Sequence, residues 1–329
     1  MSYRAEARRL ARPLFRCAVG RRAALRFAAA RGRSLVLLYH RVVPDGMPPR
    51  AIVPTVPSSV FREHLHALLS VGRIVPLRQL LHQGPLADEA PRFSITFDDD
   101  RAEYVGTVLP ELQALGVTAT FFLSGRALHN LPPYWWTFVE HSIHAHGVEG
   151  TSRALGLDAR TPLDLALALE RSLAAHRLVD RLPVPDESQL TATDIRSLAE
   201  AGMEIGFHTL HHPLLSSLAG RELEMALGMG RQELAAAAGN RVDILAYPYG
   251  RATSKVAESA ERAGYAAAFV AGGRPIAQWS DRFLLARWEP GTLSAADMTA
   301  EIALRLLRAP TAPRRRRPTY GRDTSLSEA

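Results

Sequence analysis

Residues 93–123 read FSITFDDDRAEYVGTVLPELQALGVTATFFL. Phe93 to Phe97 is a short apolar and β-branched run, Glu103 to Leu115 has helical period and stops at Gly116, and Thr118 to Leu123 is a second apolar run. Strand, helix and strand in this order are the repeating unit of a parallel βα protein. Working outward, the same rhythm holds. Leu35 to Tyr39, Glu204 to Phe207, Ile244 to Tyr247, Ala267 to Val270 and Leu284 to Arg287 read as further strands. Between them, Val60 to Leu69 follows Ser58 and Ser59 as caps. Thr193 to Ala201, Arg221 to Ala238 and Ser254 to Ala263 each end at a glycine, as a helix does when the next residue takes a left-handed backbone.

Two regions depart from the rhythm. Tyr134 to Asp186 is too long for one crossover and reads as an insertion, with a helix over Leu163 to His176; it serves as a lid over a cleft or as surface decoration. Ala309 to Ala329 is rich in Pro, Arg, Ser and Thr without periodic apolar residues, the composition of a disordered basic tail. The organisation expected is a basic leader over residues 1–33, one large domain over 34–308 and the tail.

Composition narrows the function classes. Half the chain is apolar, enough for a substantial core. The formal charge is +7, but Lys255 is the only lysine and the arginine excess gathers at the two ends, so nucleic acid is not an expected partner. Cys17 is the only cysteine; this excludes an internal disulfide and leaves His and carboxylates as the ligands for any metal. No apolar run is long enough to span a bilayer, and arginines interrupt the N-terminus where a signal peptide is apolar. The expectation is a cytoplasmic protein. Arg4 to Ala30 can form a basic amphipathic helix with Leu10, Leu14, Phe15, Ala18 and Leu25 on one side. Such a helix is solvated, docked on the core, or in peripheral contact with a membrane.

Three strand ends carry the chemistry. After Phe97 come Asp98, Asp99 and Asp100. Three carboxylates together repel one another unless a cation or hydrogen-bond donors neutralise them, and α/β enzymes place their sites at such ends. An isolated acidic turn would instead cap the next helix. After Phe207, the run His208-Thr209-Leu210-His211-His212-Pro213 puts two imidazoles four residues apart, on one side of either a helical turn or a strand. Two imidazoles and a carboxylate leave a metal open to water and substrate. The third end, Ala246-Tyr247-Pro248-Tyr249-Gly250, is by itself only a tight turn.

Together and in this order, these motifs resemble the polysaccharide deacetylase family, carbohydrate esterase family four, from about Leu35 to Pro290. Leu38-Tyr39-His40-Arg41-Val42 is similar to the start of the branch that acts on exported poly-N-acetylglucosamine. The resemblance implies a distorted (β/α)7 barrel and metal-dependent removal of N-acetyl groups from a carbohydrate. It implies Asp99, His208 and His212 as ligands of one divalent ion, zinc first, with iron, cobalt or nickel accepted by the same donors. It also implies Asp98 as general base and the Tyr249 backbone N–H as oxyanion donor.

The sequence departs from the family at three points. Asp100 stands where glycine is usual and either hydrogen-bonds substrate or caps a helix. Ala246 stands where an arginine orients the base, and Arg287, at the end of a late strand, is the candidate replacement. No histidine follows His212, so another acid must serve; His40 at the end of the first strand is the candidate, against a buried structural histidine or a substrate contact. Substrates consistent with this reading are an N-acetylated polysaccharide, oligosaccharide or lipid-linked sugar. O-deacetylation or deformylation of a glycan or glycolipid, and a catalytically silent carbohydrate-binding module, are the alternatives.

Overall fold

The computed structural model describes residues 17–82, 90–170, 180–185, 187–277 and 280–308. The first strand, β1 (Ser34–Tyr39), follows helix α1 (Ala18–Ala29). Next come β2 (Arg41–Val43), β3 (Thr55–Pro57), α2 (Ser58–Val71), β4 (Arg73–Ile74), α3 (Leu77–His82) and β5 (Arg92–Asp98). The chain continues through α4 (Leu109–Ala114), β6 (Thr120–Leu123), α5 (Trp135–Leu155), α6 (Pro162–Glu170), α7 (Ala192–Glu200) and β7 (Glu204–Phe207). It ends with α8 (Gly220–Gly228), α9 (Arg231–Ala238), β8 (Ile244–Ala246), α10 (Ser254–Arg262), β9 (Ala267–Ala271), β10 (Leu285–Trp288) and α11 (Ala295–Leu307).

The strands are parallel and run in the order β1, β10, β9, β8, β7, β6, β5, and β1 pairs back onto β5, closing the ring. This is a distorted (β/α)7 barrel, with β4 added outside β5. Closure is fixed by the pairing of β1 with β5, in register from Ser34 with Arg92 to Tyr39 with Phe97. All residues of β1 and β5 are buried, as expected for strands covered on both faces. An aromatic stack of Tyr39, Phe61, Phe97, Tyr104 and Phe121 packs beneath the ends of β1 and β5.

The interior is so tight that β7 carries a glycine. A Cβ at Gly206 would sit 2.5 Å from Phe122 Cε1 and 3.1 Å from Ile244 Cγ1. Phe122 is itself wedged between the Arg287 guanidinium, 5.1 Å above its ring, and Phe269, 5.5 Å away. Gly206→Ala should therefore cost about 1–3 kcal/mol of stability, the usual penalty of overpacking. Denaturant unfolding measures it; an unchanged midpoint would mean that the Phe122 ring is free to move.

Three sequence expectations are corrected. Arg221 to Ala238 is two helices, because Met229 is extended and Gly230 is left-handed at φ 82°. Glu103 to Leu115 begins as a wide π-turn over Tyr104–Val108, since Pro110 has no N–H to close an ordinary helical turn. Ser58 and Ser59 do not cap α2; Pro57 precedes it, and the Asp45 carboxylate accepts from the Ser59 N–H at 3.0 Å. The helix expected over Leu163 to His176 starts at Pro162 and is described as far as Glu170, and a larger helix, α5, precedes it.

At the N-terminus, α1 turns Ala24, Leu25, Ala28 and Ala29 into the body, so this part of the leader is docked on the core. Leu10, Leu14, Phe15 and the tail after Arg308 lie outside the described residues. No helix among the described residues is long and apolar enough to cross a membrane.

Candidate active site

Two strand ends deliver the carboxylates and imidazoles to one point, and a third adds Tyr249. β5 ends at Asp98, and the chain turns sharply at Asp99, which is left-handed at φ 77°. β7 ends at Phe207, and the next residue, His208, donates its backbone N–H to the Leu123 carbonyl at 2.9 Å. His212 does not reach the cluster by helical or strand spacing. It arrives through a turn in which Thr209 (φ 61°) and His212 (φ 50°) are both left-handed. Tyr249, after β8, is left-handed as well at φ 59°. Among the described residues only Asn130 shares this conformation outside the cluster without being glycine, and strain of this kind persists where the surrounding structure enforces it at functional sites.

Asp99, His208 and His212 are buried, and each places one ligand atom within 4.8 Å of the others. The His208 Nδ1 donates to the Ala246 carbonyl at 2.9 Å, which leaves the Nε2 lone pair facing the cluster. His208 Nε2 lies 3.8 Å from Asp99 Oδ1 and 3.1 Å from His212 Nε2. Burial holds the His212 pKa well below the ordinary histidine value. A neutral imidazole beside a carboxylate is the ligand form a divalent cation requires, so this donor set fits such an ion. The rings of Tyr134, Trp136 and Tyr249 stand edge-on around His212 at 5.4, 4.8 and 4.7 Å.

Asp98 has a separate environment. The Arg287 guanidinium donates to both of its oxygens, Nη1 to Oδ1 at 2.6 Å and Nη2 to Oδ2 at 2.7 Å, and Arg287 is fully buried. Burial pushes the Asp98 pKa up, but the charge and hydrogen bonds of Arg287 outweigh it and leave the pKa below the ordinary carboxylate value. The sequence substitute for the missing arginine is therefore in place, reaching Asp98 across the barrel from β10.

His40, after β1, joins the same cavity and hydrogen-bonds through Nδ1 to Glu289 Oε1 at 2.9 Å. Burial lowers its pKa; the hydrogen bond and charge of Glu289, with Asp98 and Asp99, more than reverse this and hold it up to about 9. The Tyr104 hydroxyl lies between the His40 carbonyl, 2.6 Å away, and the Asp98 carbonyl, so it ties the ends of β1 and β5 together.

Asp100 is the site expectation that the structure corrects. It is buried away from the cavity, and its carboxylate accepts from the backbone N–H groups of Ser124, Gly125 and Arg126 at 2.8, 3.3 and 2.9 Å. Both oxygens are thus occupied in holding the loop after β6. Nor does Asp100 cap the helix that follows it in sequence; it caps the short turn Arg126–His129.

The cavity is about 310 Å³, with the acids and imidazoles on its floor. Its walls include Ile52, Val53, Pro54, Trp135, Trp136, Ala166 and Glu170. The insertion therefore lines the site. It is fastened to the loop after β8 by Trp135 Nε1 donating to the Tyr249 hydroxyl at 3.3 Å and by the Arg251–Glu170 ion pair at 2.6 Å. Gly250 permits that loop to lie against β9, because a Cβ there would meet the Ala271 backbone nitrogen at 2.8 Å. Sequence reading missed Trp135, Trp136 and Glu289. The aromatic run Tyr134-Trp135-Trp136 was a signal, and so was the carboxylate two residues beyond Arg287, a spacing that shares one strand face.

A closed parallel barrel with ionisable groups converging at the C-terminal ends of its strands is the plan of a barrel enzyme. The sequence matches the family described as polysaccharide deacetylase over residues 87–268, more than half of the chain. The chain belongs to that family, which is carbohydrate esterase family four. Among curated proteins none matches the sequence.

Solved structures share the fold at low identity. The Streptococcus pyogenes deacetylase PplD in complex with acetate has a TM-score of 0.56 at 14% identity, covering 84% of this chain and 99% of that one. IcaB from Ammonifex degensii has a TM-score of 0.55 at 18% identity, covering 82% and 97%. A de-N-acetylase from Aggregatibacter actinomycetemcomitans has a TM-score of 0.58 at 16% identity, covering 81% and 99%.

Proposed function

We propose that this carbohydrate deacetylase removes N-acetyl groups from a polysaccharide, an oligosaccharide or a lipid-linked sugar, with one divalent ion held by Asp99, His208 and His212. Zinc is the first choice, and iron, cobalt and nickel suit the same donors. When bound, the ion polarises the acyl carbonyl and acidifies a water molecule. Asp98 takes the proton of the attacking water, and Arg287 fixes both carboxylate oxygens so that the base keeps one orientation. The backbone N–H of Tyr249 donates to the developing oxyanion. His40 gives its proton to the departing amine nitrogen, and Glu289 orients and charges it for that step.

The observation that carries this reading is the pairing of a base fixed by Arg287 with an acid fixed by Glu289, in the one cavity that Asp99, His208 and His212 line. The same two pairs weigh against a silent binding module, which needs neither. O-deacetylation or deformylation uses the same groups and is the second reading. Mass-spectrometric detection of acetate or formate release from a panel of glycans and glycolipids, with metal restored after chelation, separates these readings. Release of neither product from any substrate would overturn the proposal in favour of a binding module.

The role of His40 has its own test in the pH profile. An acid must be protonated to act, so kcat/KM is present below the His40 pKa and falls as pH rises through it. Glu289→Gln removes the charge and weakens the hydrogen bond that raise that pKa. The alkaline limb should then move to lower pH by about 1–3 units, the range for loss of one nearby opposite charge. A bound ion acts on wild type and variant alike, so the difference remains. An alkaline limb that stays in place would remove His40 as the acid.

A further inference from the structure

The helix α1 uses one side to dock on the barrel and leaves the other uncovered. Its outer stripe is Val19, Arg22, Ala23, Arg26 and Phe27, with Val19 76% and Phe27 44% exposed. The Arg31 guanidinium lies 3.6 Å above the Phe27 ring, so the stripe interleaves large apolar groups with cations. Between Glu6 and Asp45 the sequence has ten arginines and no acid. A soluble surface helix ordinarily mixes its charges; this one has only cations beside exposed apolar groups, the pattern of a helix that lies on an anionic interface.

Topology orients this stripe relative to the site. The end of α1 joins the start of β1, where Arg33 Nη1 donates to the Leu306 carbonyl at 2.8 Å near the end of α11. α11 starts beyond β10, on the end of the barrel that carries the site, and α1 packs along it. α1 therefore runs from the site-bearing end toward the opposite one, and Val19 lies in its first turn. Met47 and Leu163 are exposed on segments that leave the same barrel end. Met47 precedes the cavity wall at Ile52, and Leu163 is one helical turn before Ala166.

We propose that the outer stripe of α1 docks the protein on an anionic lipid bilayer, with the barrel axis lying along that surface. This inference is independent of the reaction catalysed. A bilayer accepts both components of the stripe, since phosphate headgroups pair with Arg22 and Arg26 while Val19 and Phe27 enter the interfacial layer. Nucleic acid would satisfy the cations alone.

Vesicle co-sedimentation of the full chain tests it. Phosphatidylglycerol vesicles should bind the protein, phosphatidylcholine vesicles should not, and raising salt should weaken binding. The double variant Arg22→Gln with Arg26→Gln should lower the partition coefficient about 30-fold, the loss expected for two arginines at an anionic surface. Val19→Ser with Phe27→Ser should lower it at least about tenfold while preserving the salt dependence. All four positions are exposed, and circular dichroism should show wild-type folding in both variants. Three outcomes would each overturn the proposal: equal binding to both lipids, binding lost on removing residues 309–329 but kept in the α1 variants, or tighter binding to duplex DNA than to phosphatidylglycerol vesicles.

Discussion

His208→Ala should abolish both ion binding and turnover. The imidazole is one of the three proposed donors, and even removal of a group that merely orients a ligand weakens metal affinity 10–100-fold; loss of the donor itself should exceed about 100-fold. Two measurements keep the result separate from unfolding. Metal analysis of the purified protein should fall from about one ion per chain to near zero. Added metal should raise the melting temperature of the chelated wild type, because an ion that binds only the folded state stabilises it, and should leave the variant unmoved. The substitution also orphans the Ala246 carbonyl, so a loss of about 1–3 kcal/mol is expected without metal. A variant that retains the ion would remove His208 from the ligand set and with it the site.

Asp98→Asn should do the opposite to the metal and the same to turnover. The ion should remain, because Asp98 is not among its donors. Turnover should fall about 10²–10⁴-fold, the contribution of a positioned general base. Stability should fall too, by about 3–5 kcal/mol, since Arg287 is fully buried and its carboxylate partner is gone. The double variant Asp98→Asn with Arg287→Met separates the effects: removing both charges should recover most of the stability and none of the rate. Recovered rate would mean that the base is elsewhere. Unrecovered stability would mean that Arg287 is held by more than its pairing with Asp98.

These variants also mark what could be read from the chain. Asp98, Asp99 and His208 were visible because they stand at or directly after the end of a short strand, where a side chain can leave the core for a site, and His212 was visible by its spacing of four from His208. Arg287 was visible only as a strand-end cation. Nothing local says that it crosses the barrel to Asp98, because that contact joins residues 189 positions apart in sequence. Asp100 failed in the instructive direction. Its charge suggested the cavity, but three backbone N–H groups of the loop after β6 solvate it instead, and burial then makes that arrangement obligatory.

The insertion shows the same limit on a larger scale. Its length was legible, and its two readings, lid or decoration, differed only in where it packs. Packing is decided by Trp135, Trp136 and Ala166 meeting the cavity and by the Arg251–Glu170 pair, all contacts between segments far apart in the chain.

By itself the sequence determined the alternation of strands and helices and the carboxylate and imidazole motifs at two strand ends, because period and turn chemistry act within a few residues. Tertiary structure alone decided that seven strands close at β1 and β5, that Arg287 clamps Asp98 and Glu289 holds His40, and that the insertion walls the site. Each of these depends on burial and hydrogen bonding between residues that only the closed barrel brings together.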